Sequence, residues 1–134
     1  MAGDEKRKYA RIESRNLVTY VSKDQQGKEL SHCIAMTRNV SPSGVLIETF
    51  QMINSEYIWL TTLDLEDNLI EIKGKVIYCK GIEGRRYEAG ISFQAPLAEC
   101  VQFATKLLHV YNTRRITFVK VAAASLTLPP GDLN

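Results

Sequence analysis

The sequence predicts an all-β domain, a six-stranded antiparallel β-barrel, followed by one C-terminal α-helix. Three observations carry this reading. Six short runs rich in β-branched and aromatic residues lie between residues 17 and 93. Turns bearing glycine or charge separate them at near-regular spacing, the pattern of an antiparallel barrel. After Pro96 the apolar period lengthens from that of a strand to that of a helix.

The first strand begins at Leu17 as LVTYV, and the polar stretch SKDQQGKE that follows forms a hairpin loop around Gly27. The second runs from about His32 to Val40. It stops at Ser41-Pro42-Ser43-Gly44, because proline removes a ladder donor and glycine tolerates positive φ. Three more fall at about Gly44–Thr49, Tyr57–Leu63 and Leu69–Lys80, the last alternating Ile70 and Ile72 with Glu71 and Lys73. Ile82-Glu83-Gly84-Arg85 turns the chain into a sixth strand, about Arg86–Phe93. Leu97, Val101, Ala104, Leu108 and Tyr111 then form the apolar stripe of an amphipathic helix that plugs or flanks the barrel, with Pro96 placed where the first turn needs no N–H.

The chain divides into a flexible, polar arm at residues 1–16, the barrel and helix at 17–112, and an extension at 113–134. In the extension, RITFVKVAAAS reads as strand in its first half and helix in its second, so it stays unassigned. With 134 residues, 45% hydrophobic, there is core-forming material for one compact domain. No apolar run approaches the roughly 20 residues of a membrane helix, and the opening MAGDEKRKYAR lacks the apolar stretch of a secretory leader. A soluble, cytoplasmic protein without membrane insertion is expected. Cys33, Cys79 and Cys100, widely spaced and with only His32 and His109 as further ligands, read as buried free thiols rather than a metal or redox site.

The net charge is +2, and its whole excess sits in residues 1–15, where Lys6, Arg7, Lys8, Arg11 and Arg15 face Asp4, Glu5 and Glu13. A nucleic-acid binder spreads basic charge over a face, so DNA and RNA are not expected as partners. A local anion site fits better. Arg7 and Arg11 on a flexible arm can fold around one dianionic ligand, since the guanidinium fork donates paired hydrogen bonds to phosphate or to a guanine edge. At the exit of the second strand, Asn39 offers an amide to a guanine edge, Ser41 a hydroxyl, and Gly44 a backbone without a Cβ. Each piece alone also reads blandly, as a solvated terminus and as a plain turn. Arg15 and Arg38 read as solvated surface. Ser41 has no evident histidine partner and no paired carboxylates recur at helical spacing, so no catalytic set is legible and a non-enzyme is expected.

Taken together, the arm Glu5-Lys6-Arg7-x-x-x-Arg11, a strand, and then Asn39-x-Ser41-x-x-Gly44 leading into VLIE resemble the PilZ family. The likeness continues through Gly74-Lys75-Val76-Ile77-Tyr78 and Tyr87-Glu88-Ala89-Gly90-Ile91-Ser92-Phe93, and covers about residues 5–112. It implies a six-stranded PilZ-like β-barrel with a C-terminal helix that binds cyclic di-GMP, uses no other cofactor, and signals through shape or a protein partner. Arg7 and Arg11 would grip phosphates and guanine edges, with Asn39, Ser41 and Gly44 as the floor. Lys6 would reach the outer phosphates if two ligand molecules stack. Asn39 stands where many members carry Asp, which removes charge assistance toward guanine. The alternatives are a PilZ-like interaction module that binds no nucleotide, and an RNA-binding barrel using Tyr20, Tyr57, Trp59 or Tyr78.

Overall fold

A computed structural model describes residues 10–127, with side chains as far as Arg114. The elements in order are β1 (Ile12–Glu13), β2 (Leu17–Lys23), β3 (Glu29–Ser41), β4 (Gly44–Thr49), β5 (Tyr57–Leu63), β6 (Leu69–Ile82), β7 (Arg86–Phe93) and α1 (Leu97–Thr127). Six strands close the barrel in the order β3-β2-β5-β6-β7-β4, with β4 pairing back onto β3, and every pairing is antiparallel. Closure removes the exposed long edges that an open sheet of these strands would carry.

Inward positions alternate along each strand as a barrel wall requires. Val18, Tyr20, Val40, Val45, Ile47, Ile58, Leu60, Ile72, Ala89 and Ile91 fill one core, which Cys100, Phe103, Ala104 and Leu107 of α1 join. Phe93 and Phe103 meet edge to face at 5.5 Å and 74°, an arrangement favoured by the ring quadrupoles. The helix therefore presents a stripe rotated by about one residue from the expected one. Cys100, Phe103, Ala104, Leu107 and Val110 are buried, while Leu97 and Val101 are exposed. Two apolar rows run side by side on this helix, and the fit of Phe103 against Phe93 selects between them.

Two further boundaries differ from expectation. Helix α1 continues unbroken to Thr127, so residues 113–127 belong to it rather than to a separate strand. The arm is ordered from its root: β1 pairs with the C-terminal part of β3 through Ile12↔Val40 and Glu13↔Asn39, on the edge that β2 leaves after Leu17↔Met36. Residues 1–9 lie outside the described residues. The three cysteines are free, with Cys100 buried and Cys33 and Cys79 half-buried.

The turn between β5 and β6 is tied to the helix. Asp64 accepts hydrogen bonds from the amides of Asn68 and Glu66, each at 2.9 Å, and lies 3.6 Å from Lys106 of α1. Those amides, that of Asn68 foremost, hold its carboxyl below the usual carboxylate range.

Gly44 is demanded by the packing of β4 on β7. A Cβ there would sit 2.1 Å from the Ile91 carbonyl oxygen, so Gly44→Ala should lower the unfolding free energy by about 1–3 kcal/mol, read by urea denaturation. A second prediction concerns pH. Burial raises the Tyr20 phenol from 10.0 to about 12, so the fold favours its protonated form. That stabilisation is complete below pH 10 and is lost as pH climbs toward 12. Denaturation measured across this range should show stability falling, with a shallower fall in Tyr20→Phe.

Candidate functional site

A polar concavity lies on the outer wall of the barrel where β1, β3, β4 and β6 meet. It has a volume of about 440 Å³ and is lined by Arg11, Glu13, Arg15, Arg38, Asn39, Leu46 and Tyr78. Three arginines against one glutamate give it a cationic lining.

Two β-bulges build its walls. In β3 the register slips between Thr37 and Asn39, which leaves Arg38 as the extra residue. Thr37 and Val40 point into the core, and Arg38 and Asn39 both stay on the outer side. In β6 the register slips between Val76 and Tyr78, so the neighbours Ile77 and Tyr78 are both exposed. The Tyr78 ring lies across Gly90 of β7, where a Cβ would come within 2.5 Å of its Cε1. Its hydroxyl donates to Glu88 Oε2 at 2.8 Å. Glycine at 90 lets the ring lie against the strand, and the hydrogen bond fixes its tilt.

Arg11 is half-buried and donates from Nη1 to Asn39 Oδ1 at 3.1 Å. The structure thus brings together the arm arginine and the strand amide that the sequence placed 28 residues apart. Arg15 and Arg38, read from sequence as solvated surface, both line the cavity. Arg15 pairs with Glu13 at 3.1 Å. Arg38 pairs with Glu48, which also accepts from Arg86 Nη1 at 2.7 Å. Glu48 is thereby neutralised from both sides.

Ser41 and Gly44 do not line the cavity. Ser41 is buried, with its Oγ accepting from the Ser43 amide at 3.2 Å and lying 2.9 Å from Ser43 Oγ. The turn is tied to β7 by Phe93 N–H donating to Ser43 O at 2.9 Å. These two residues shape the hairpin that carries Asn39. Arg7 and Lys6 lie outside the described residues. Leu46 was missed as a site residue, and Tyr78 is read from sequence only as a stacking aromatic of an RNA-binding barrel. Their exposure depends on the β6 bulge and on closure of β4 against β7, neither of which leaves a periodic signal.

Beneath the cavity a buried polar cluster fastens the arm root. Thr37 Oγ1 donates to Ser14 O and accepts from Asn16 N–H at 2.8 Å. Asn16 Nδ2 donates to Ser14 Oγ at 2.8 Å and to the Leu107 carbonyl of α1 at 3.0 Å. Tyr111 of α1 also donates to Glu13 Oε2 at 3.2 Å. No group of three or more His, Cys, Asp or Glu with metal-binding proximity occurs among the described residues.

The family model of the PilZ domain matches residues 5–103. This chain belongs to the PilZ domain family. The solved PilZ domain of YcgR from Escherichia coli, with c-di-GMP, superposes at a TM-score of 0.57 and 12% identity, covering 86% of this chain and 98% of that one. The Bacillus subtilis inhibitor of motility MotI/DgrA superposes at 0.52 and 14% identity, covering 84% of this PilZ chain and 52% of that one. At these identities the likeness concerns the fold. No curated protein matches the chain.

Removing the Asn16 amide should leave the Leu107 carbonyl and Ser14 short of a buried donor. Asn16→Ala is expected to cost about 1–3 kcal/mol and to speed hydrogen exchange at the amides of Ser14 and Thr37, measured by NMR.

Proposed function

We propose that this PilZ domain is a cytoplasmic receptor and adaptor for cyclic di-GMP, acting in bacterial motility, biofilm or virulence signalling by changing shape or partner, and that it is not an enzyme. The observation that carries the reading is the wall cavity itself. Arg11 is held on Asn39, Arg15 and Arg38 line the rim, and an aromatic ring forms the far side. That set answers each part of a cyclic dinucleotide. Guanidiniums take the phosphates in paired, charge-assisted hydrogen bonds. The Asn39 amide offers an acceptor and donors to a guanine edge, and the Tyr78 ring offers a stacking surface for a base. The fold similarity to a domain bound to that nucleotide supports the same reading.

In this proposal Arg7, four residues before Arg11, supplies the second arginine of the arm, and Lys6 adds charge for the outer phosphates. Ser41 and Gly44 contribute by setting the turn. Asn39 already serves Arg11, so it both positions the arm and reads the base.

The RNA-binding alternative loses two of its four aromatic candidates. Tyr20 is buried in the core, and Trp59 lies under Lys23 at 4.5 Å and Lys73 at 5.5 Å. Cation–π pairing accounts for that half-buried ring.

Isothermal titration with cyclic di-GMP tests the proposal and reports stoichiometry. Arg11→Ala should weaken binding about ten- to a hundredfold, corresponding to roughly 1.5–3 kcal/mol for charge-assisted bonds. Tyr78→Ala should cost about 1–3 kcal/mol of stacking, and Tyr78→Phe should keep most of it. Absence of heat with the wild-type chain, correctly folded by circular dichroism, would leave a PilZ domain that serves only as an interaction module.

A further inference from the structure

The outer wall of a barrel faces water, and its outward positions are ordinarily polar. Here they are not around the junction of β2 and β3. Leu17 and Ile34, 65% and 63% exposed, sit at the centre, with Met36 and Phe50 on one side and Leu63 and Leu69 on the other. Two grooves run through this patch. One, of about 310 Å³, passes between Leu17, Ile34, Met36 and Phe50 with Arg15 and Arg86 at its rim. The other, of about 510 Å³, passes between Leu17, Ile34, Leu63 and Leu69 with Arg114 at its rim. Leu17 and Ile34 line both, so the grooves form one surface. A contiguous exposed apolar surface of this kind, rimmed by polar groups, marks an interaction site.

The charges select the occupant. The cations at the rim are Arg15, Arg86 and Arg114. Arg15 is paired with Glu13, and Glu48, the sole acid lining either groove, is shared by Arg38 and Arg86, so four arginines stand against two glutamates and the rim keeps a net positive charge. Two copies of the chain apposed across a two-fold axis would bring this arginine-rich rim against itself, which like-charge repulsion opposes. A partner with apolar anchors and carboxylates beside them is complementary to the apolar patch and to the net positive rim. Because the barrel is closed, no long strand edge is open to β-augmentation, and capture must run through side chains.

We propose that the Leu17–Ile34 face is a docking surface for an acidic amphipathic helix of a partner protein. Its apolar residues at i, i+3, i+4 and i+7 would seat in the two grooves, and its carboxylates would lie on Arg15, Arg86 and Arg114. This names the chemistry of the partner for the adaptor part of the proposed function. It does not require nucleotide binding, so failure of the nucleotide titration leaves it standing.

The test is fluorescence anisotropy on the full chain without nucleotide. The probe is a labelled peptide of about 14 residues, roughly four helical turns, with Leu at the i, i+3, i+4 and i+7 positions and Glu elsewhere. Binding is expected, with loss of about tenfold or more in affinity in Ile34→Ser and in Phe50→Ser. Arg86→Ser with Arg114→Ser should weaken it as well and flatten its salt dependence. Ile34, Phe50 and Arg114 are exposed, so melting temperatures of their single variants should stay near wild type. Arg86→Ser removes one of the two cations on Glu48 and is compared at a temperature where the variant is folded. Equal binding of the peptide with Lys in place of Glu, or unchanged affinity in Ile34→Ser, would overturn the proposal. So would sedimentation equilibrium showing a wild-type dimer that Ile34→Ser converts to monomer, because a second copy would then be the occupant.

Discussion

Thr37 is where arm, barrel and helix meet, and the placement of the cavity depends on it. Between β1 and β2 the chain leaves its regular ladder at Ser14, Arg15 and Asn16, yet Ser14 and Asn16 are buried. Buried backbone groups without partners cost too much to persist, so the kink exists only because its polar atoms are answered. The Thr37 hydroxyl bonds the Ser14 carbonyl and the Asn16 amide, and the Asn16 side chain spans to the Leu107 carbonyl. That bond joins the arm root to the middle of α1. Arg11, before the kink, and Arg15, within it, are thereby held over the wall.

The wall owes its chemistry to two register slips. A regular strand presents alternate residues on one face, so it cannot offer Arg38 and Asn39 together. The slip in β3 makes this possible, and the slip in β6 does the same for Ile77 and Tyr78. Between them Leu46 forms an apolar floor, opposite Asn39 on one side and Gly90 on the other. The result combines arginine donors, an amide and an aromatic ring within one concavity. Glu48 and Glu88, facing each other across β4 and β7, would otherwise repel an anion close by. Each is countered, Glu48 by Arg38 and Arg86, and Glu88 by the Tyr78 hydroxyl and Lys80.

The same wall carries chemistries of two kinds, and Arg15 stands between them. It lines the cationic cavity beside Arg11 and also the rim of the neighbouring apolar groove. Its partner Glu13 receives a hydrogen bond from Tyr111 of α1 as well. An anion drawing Arg15 toward the cavity therefore acts on a residue that helps define the groove. The pairs involved are largely exposed, so each is worth little alone. The buried Asn16 link supplies the stiffer connection to the helix.

The strands were legible in the sequence because their signals are local. β-branched runs, the alternation of Ile70 and Ile72, and the breakers at Pro42 and Gly84 act within a few residues, and five of the six long strands fall at the expected bounds at one end or both. Arg11 and Asn39 were legible as site candidates because arginine and amide at those places match a known motif. What the sequence by itself determined was thus the order and type of the six long strands and the start of the helix that follows them. Tertiary structure alone decided which face each residue took. A one-residue slip reverses every side chain beyond it, and whether Phe103 or Val101 faces inward depends on Phe93, ten and eight residues earlier in the chain. The same holds for Gly44, whose missing side chain is required by the Ile91 carbonyl of a strand three elements later in the chain. Local propensity carries no record of such contacts, because the atoms that enforce them come together only when the barrel closes.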